Sequence, residues 1–111
     1  MIEKFKVVLL EDASEFLSGL PIGARTKVVY NINKAAMVND PELFKKLDDK
    51  IWEFRTNYQN QKIRLFAFWD NRDKVQTLVI ATHGIIKKKS KVDRTEIEKA
   101  KRIRGQYLGE T

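Results

Sequence analysis

The sequence predicts a single α+β domain spanning residues 1–111, and three patterns carry this prediction. Apolar residues with helical spacing fill much of the first 40 positions, three strand-like segments follow between residues 51 and 86, and an amphipathic segment comes last. A length of 111 residues with 42% hydrophobic residues suits one core and is too short for two. The expected order is strand, helix, helix, three-stranded meander, helix, with the first strand joining one antiparallel sheet.

The N-terminal part predicts one strand and two helices. Residues 5–10 are rich in β-branched and aromatic side chains, which favours a strand. The first helix is indicated by apolar residues at i, i+3, i+4 and i+7, namely Ala13, Phe16, Leu17 and Leu20. Pro21 ends that helix and can open the next. The apolar face of the second helix contains Ala24, Val28, Ile32 and Ala35. A connection this short predicts an antiparallel helical hairpin.

The middle of the chain predicts an antiparallel meander. Segments 51–58, 61–70 and 75–86 are separated by turn residues at 59–60 and 71–73. Alternation places Glu53 and Arg55 on one face of the first segment, and Arg64 and Phe66 on one face of the second. Each of two adjacent strands therefore carries an arginine.

The last segment predicts a helix that docks on the sheet. Asp93 precedes Glu96 by three positions, which is a capping-box arrangement. The apolar face that follows contains Ile97, Ala100, Ile103 and Tyr107.

Positive charge is concentrated near the end of the sequence. Residues 83–104 hold nine lysines and arginines against three acids, which accounts for most of the formal net charge of +7. A localised basic surface indicates a polyanionic partner, most often nucleic acid. The alternative, a solvated face of a terminal helix, stays open on charge alone.

Composition excludes several classes of chemistry. The chain has no cysteine, so it has no disulfide, thiol nucleophile or thiolate metal site. Its one histidine rules out a two-histidine zinc site, and no glycine-rich phosphate loop is present. We expect no cofactor and no metal. The short apolar run near the start predicts neither a secretion signal nor a membrane span, so we expect a cytoplasmic protein without a membrane partner.

The remaining polar residues suit cleavage of RNA through the ribose 2′-hydroxyl. This reaction needs a base for the hydroxyl, cations for the pentacoordinate phosphate and an acid for the leaving oxygen. The planar guanidinium group of arginine can bind two phosphate oxygens at once. Clustered lysines lower one another's pKa toward neutrality, so that one of them can act as the base. The candidates are Arg55, Tyr58, Arg64, His83, Lys87, Lys88, Lys89 and Lys91. Each has a structural alternative, because strand arginines can pair with acids such as Glu53, and a lone histidine is often structural.

Several motifs together resemble one toxin family. They are W-E-x-R at residues 52–55, Arg64 in the next strand, H-G-x-x-K-K-x-x-K from His83 to Lys91, and E-I-x-x-A from Glu96. With these motifs the chain resembles the phage-derived, HigB-like branch of the RelE/ParE toxin superfamily over nearly its whole length. The resemblance implies a RelE-like fold and the toxin of a bacterial type II toxin–antitoxin system.

The resemblance further implies a metal-independent endonuclease that cuts mRNA in the ribosomal A site. Its partners would be that mRNA and a cognate helix-turn-helix antitoxin, bound in a toxin–antitoxin hetero-oligomer. By position, Arg64 would bind the scissile phosphate, Arg55 would support it, and His83 would be an acid or base. Lys87, Lys88 and Lys91 would contact RNA or assist proton transfer. The wider RNA-binding set would contain Tyr58, Lys89, Lys91, Arg94, Lys99 and Lys101.

The chain departs from the family pattern at one position. Relatives of the RelE type place a catalytic tyrosine early in the final helix, where this chain has Ile97 and Glu98, and Tyr107 lies too far along. Tyr58 is the candidate substitute. Two other functions stay open: a ParE-like toxin that poisons gyrase without nuclease activity, and a basic RNA-binding protein without catalysis.

Overall fold

The computed structural model of the protein describes residues 3–72 and 78–110, and within these ranges it has five strands and three helices. In chain order they are β1 (Lys6–Leu9), α1 (Glu11–Ser18), α2 (Ile22–Met37), β2 (Phe44–Lys46), β3 (Trp52–Tyr58), β4 (Gln61–Asp70), β5 (Leu78–Lys87) and α3 (Arg94–Leu108). The predicted α+β class is confirmed. Asp73, at the end of the predicted turn, and residues 75–77, at the start of the predicted last strand, lie outside the described residues.

The sheet is mixed rather than antiparallel, which corrects the sequence-based prediction. Its strand order is β1-β5-β4-β3-β2, and β1 pairs with β5 in parallel while the other neighbours are antiparallel. The described part of the chain between β1 and β5 contains two helices and three strands. No tight turn therefore links the two strands, and their relative direction is not set by local sequence.

Strand β2 is the one strand that the sequence does not predict. It is three residues long and includes two lysines, so its alternation is too short to recognise. Pairing with β3 forms it, because Phe44 lies opposite Phe54 and their rings stack with centroids 4.4 Å apart. A tertiary contact, rather than local propensity, creates this edge strand.

Helices α1 and α2 cover one face of the sheet, with α1 against β5 and α2 against β3. Acidic residues begin α1, and Pro21 is the N-cap of α2, as the sequence predicts. The predicted apolar positions are mostly buried in a core with the inward residues of the sheet. This core includes Ala13, Leu17, Ala24, Val28, Ile32, Ala35, Phe54, Ile63 and Leu65.

Helix α3 packs on the opposite face of the sheet, where Ile97 and Ala100 join a second core with Phe66 and Phe68. The side chain of Asp93 caps the helix by accepting the Thr95 backbone N–H, which confirms the predicted N-cap. No helix in the described ranges is long and apolar enough to cross a membrane.

Candidate active site

Four cations lie on the face of the sheet that α3 covers. They are near the start of β4 and the end of β5. Arg55 on β3 lies directly opposite Arg64 on β4, and Lys62 on β4 lies opposite Lys87 on β5. Alternation along β4 puts Arg64 and Lys62 on the same face. The predicted convergence of the two strand arginines is therefore present, and Lys62 joins them although sequence analysis did not single it out.

Arg64 is buried, with 1% of its surface exposed, so it is not the solvent-facing partner that one sequence alternative allowed. Its Nη1 donates to the backbone oxygens of Ile63 at 3.0 Å and Thr56 at 3.3 Å, and to Oδ1 of Asn57 at 3.2 Å. Burial lowers the pKa of Arg64, and the Glu53 carboxylate opposes that shift. Because a guanidinium stays charged in proteins, Arg64 is a buried cation, and the three hydrogen bonds fix its position.

Glu53 faces both arginines, and sequence analysis treated it only as a possible surface partner. Its Oε2 lies 3.6 Å from Nε of Arg55, and its Oε1 lies 3.8 Å from Nε of Arg64. The carboxylate is buried, and burial raises its pKa against the opposing effect of the nearby cations. The available signal was its shared face with Arg55, between the apolar neighbours Trp52 and Phe54.

The lysines at the end of β5 and just after it differ in exposure. Lys87 is partly buried, whereas Lys88, Lys89 and Lys91 are exposed. Burial lowers the pKa of Lys87, the positive charge of Arg64 lowers it further, and Glu53 opposes the shift. Lys87, Lys88 and Lys89 line a groove together with Lys62. An anionic strand lying in this groove would meet several cations at once.

His83 lies on the same face as Arg64 but is buried against the first turn of α3. Its Nε2 is 3.1 Å from Oε1 of Glu96, its Nδ1 is 3.0 Å from Oγ1 of Thr82, and its ring stacks on Phe66. Burial lowers the pKa of His83, and the hydrogen bond with Glu96 opposes that shift. Glu96 therefore bonds the histidine rather than closing the predicted capping box. This placement favours a structural role for His83.

Within the described residues, which include all three tyrosines, no phenol lies beside the arginines. Tyr58 alternates onto the face that carries α1 and α2, where its hydroxyl packs against Gly23 so closely that a methyl group there would overlap it. Tyr30 is exposed on α2, and Tyr107 packs edge-on against Phe68. The candidate substitute for the family tyrosine is thus on the wrong face of the sheet to join Arg55.

Three of the α3 cations predicted to bind RNA are paired with acids. Nζ of Lys101 is 2.8 Å from Asp48, Arg94 bonds Glu98 at 3.0 Å, and Lys99 lies 4.0 Å from Asp12. Burial would raise the pKa of Asp48, but hydrogen bonds from Lys101 and from two backbone N–H groups hold it at about 2. These pairs leave the lysines after β5 as the less neutralised part of the basic surface.

No group of three or more histidine, aspartate or glutamate side chains within residues 3–72 and 78–110 is arranged to hold a metal ion. The polar cluster of the described face is instead two guanidiniums, two amines and one carboxylate, contributed by Arg55, Arg64, Lys62, Lys87 and Glu53. Such a set binds and stabilises oxyanions.

The chain belongs to the family of phage-derived Gp49-like proteins. The family model matches residues 15–104, which include the second half of α1, all of the cationic cluster and most of α3. This family is part of the RelE/HigB-type toxin group, which confirms the resemblance at that coarser level. A search of curated proteins found no match.

Proposed function

We propose that the protein is the toxin of a type II toxin–antitoxin pair and that it cuts mRNA on the ribosome. The observation that supports this most is the apposition of Arg55 and Arg64 beside Lys87 on one face of the sheet. Membership in a RelE/HigB-type group supports the toxin class. The partners proposed are mRNA in the ribosomal A site and a helix-turn-helix antitoxin, within the cytoplasm.

In the proposed reaction the ribose 2′-oxygen attacks the adjacent phosphorus and the bond to the 5′-oxygen breaks. The products are a 2′,3′-cyclic phosphate and a 5′-hydroxyl. Lys87 is the candidate base, because burial and Arg64 lower its pKa. Lys62 and Lys88 are the candidate donors to the leaving oxygen.

Exposure refines the roles of the two arginines. The Arg55 side chain is 25% exposed, whereas the Arg64 side chain is nearly inaccessible to solvent. We therefore assign direct phosphate contact to Arg55 and Lys87, and assign to Arg64 a fixed positive charge beneath them. This reverses the order that the family resemblance implies.

The test compares Arg55→Gln and Lys87→Gln with wild type in a translating extract. We expect transcript cleavage to fall by about 100-fold in either variant, which is typical for loss of one group that stabilises or deprotonates a reacting centre. Arg25→Gln is the matched control, because Arg25 is exposed on α2 over the other face of the sheet. Cleavage should leave 2′,3′-cyclic ends.

Unchanged cleavage in both variants would refute the site assignment. Intact transcripts together with supercoiling defects would support the gyrase-poisoning alternative. Salt-sensitive RNA binding without any cleavage, on or off the ribosome, would support a non-catalytic RNA-binding protein.

A further inference from the structure

The carboxylate of Glu53 lies where the two strand arginines meet. Arg55 and Arg64 occupy directly opposed positions on β3 and β4, and Glu53 precedes Arg55 by two residues on the same face. Like charges placed opposite each other on neighbouring strands repel. Glu53 supplies the negative charge between them, with its two oxygens directed to different guanidiniums.

The contacts of Glu53 are electrostatic rather than hydrogen bonds. Its oxygens lie 3.6 Å and 3.8 Å from the two Nε atoms, beyond hydrogen-bond length. Oε1 of Glu53 and Nε of both arginines are buried, and none of the three has a hydrogen-bond partner within the described part of the chain. Such an arrangement contributes little net stability, because desolvation offsets the attraction.

From this geometry we infer that Glu53 is a positioning residue: its charge orients the guanidinium of Arg55 toward the scissile phosphate and helps to hold the guanidinium of Arg64 in place. This inference rests on the proposed function. Glu53 is buried and lies next to both arginines, so it acts through them rather than by touching RNA. Its charge also limits the attraction of this face for a polyanion.

Replacing Glu53 by glutamine tests both consequences, because glutamine keeps the shape and removes the charge. We expect the cleavage rate of saturated ribosome complexes to fall by about 10- to 100-fold, as misplaced catalytic groups do. Apparent affinity for RNA at low salt should rise by about fivefold, since one repulsive charge near the phosphate is lost. A purely structural role would not produce slower cleavage together with tighter binding.

Glu42→Gln is the matched control. Oε2 of Glu42 lies 3.9 Å from Nη1 of Arg55, but its side chain is 86% exposed, and within the described ranges it forms no ion pair with Arg64. Its replacement removes the same charge near the same arginine, and we expect its rate and affinity to stay within twofold of wild type. An equal rate loss in Glu42→Gln would overturn the inference.

Arginine Nε–Hε signals in nuclear magnetic resonance spectra give a readout that does not depend on activity. Single Arg55→Lys and Arg64→Lys variants assign the two signals. In Glu53→Gln we expect both to shift and to exchange faster with water, because the charge that orders them is absent. Unchanged signals or an unchanged cleavage rate would overturn the inference.

Glu53→Asp carries the test if the glutamine variant does not fold. It keeps the charge and withdraws it from both arginines, so it should keep wild-type affinity and lose about tenfold in rate; a full rate would overturn the inference. If wild-type protein cleaves no transcript, the proposed function fails, while the arginine signals still decide whether Glu53 orders the two side chains.

Discussion

Arg55 and Arg64 lie directly opposite each other on neighbouring antiparallel strands, yet only Arg55 reaches the surface. Arg64 is fixed by three hydrogen bonds to strand backbone and Asn57, whereas Arg55 contacts the exposed Glu42 through Nη1 and the buried Glu53 through Nε. The pair thus combines one rigid, buried cation with one that a phosphate can approach.

This difference predicts unequal effects on stability. Arg64→Ala removes a buried partner of Glu53 and should lower the free energy of unfolding by about 3–5 kcal/mol. Arg55→Ala removes a partly exposed, solvent-screened contact and should lower it by only about 1 kcal/mol. Urea unfolding followed by circular dichroism measures both. Equal losses would contradict the burial difference.

The raised pKa of Glu53 predicts that the effect of Glu53→Gln on the free energy of unfolding depends on pH. Burial raises the pKa of Glu53 in the folded protein. Its contribution to stability is therefore complete below the unfolded value of 4.5 and is lost as the pH rises through the folded pKa. The free energy of unfolding of Glu53→Gln, relative to that of wild type, should therefore increase as the pH rises from 4 to 7. Urea midpoints across that range measure the difference, and a difference independent of pH would contradict the prediction.

The lowered pKa of His83 predicts that stability is lost as the pH falls, which is the opposite direction from Glu53. Burial lowers its pKa in the folded protein, so its contribution is complete above the unfolded value of 6.5 and is lost as the pH falls toward the folded pKa. The chain has one histidine, so His83→Asn removes its only imidazole, the group that titrates near pH 6.5 when the chain is unfolded. Wild type should lose stability below pH 6.5 more steeply than the variant. Parallel slopes in thermal melts would show that His83 is not buried in its neutral form.

Gly84 predicts a packing effect between α1 and β5. A methyl group at Gly84 would overlap the ring of Phe16, so Gly84→Ala should cost about 1–3 kcal/mol in the free energy of unfolding. Adding Phe16→Leu should recover part of the loss, which a double-mutant cycle measures. Gly19→Ala is the control, because its nearest neighbours lie 3.6 Å from the added methyl and its backbone is helical.

The lysines predict different salt dependences of RNA binding. Lys88 and Lys89 are exposed and line a groove with Lys62 and Lys87, so replacing both by alanine should reduce the salt slope for single-stranded RNA by about 1.4. Lys101 is bonded to Asp48, so Lys101→Ala should change the slope little. Fluorescence anisotropy over a salt series measures both. A larger effect at Lys101 would support the sequence-based prediction that Lys101 binds RNA.

Sequence patterns were sufficient for the local features of this fold. Apolar spacing predicted the three helices, Pro21 and Asp93 marked helix starts, and alternation placed Arg55 and Arg64 on faces that do converge. The same patterns missed β2, because three residues cannot establish a period, and gave the wrong direction for β1.

The sequence by itself determined the three helices, the described strands other than β2, the position of the positive charge and the toxin group, since these depend on residues close together in the chain. Only the tertiary structure decided that Arg64 is buried, that Glu53 lies between the two arginines, and that Tyr58 faces away from them. The physical reason is that burial and ion pairing depend on strand register and on which helix covers which face of the sheet. Contacts among residues distant in the chain establish both.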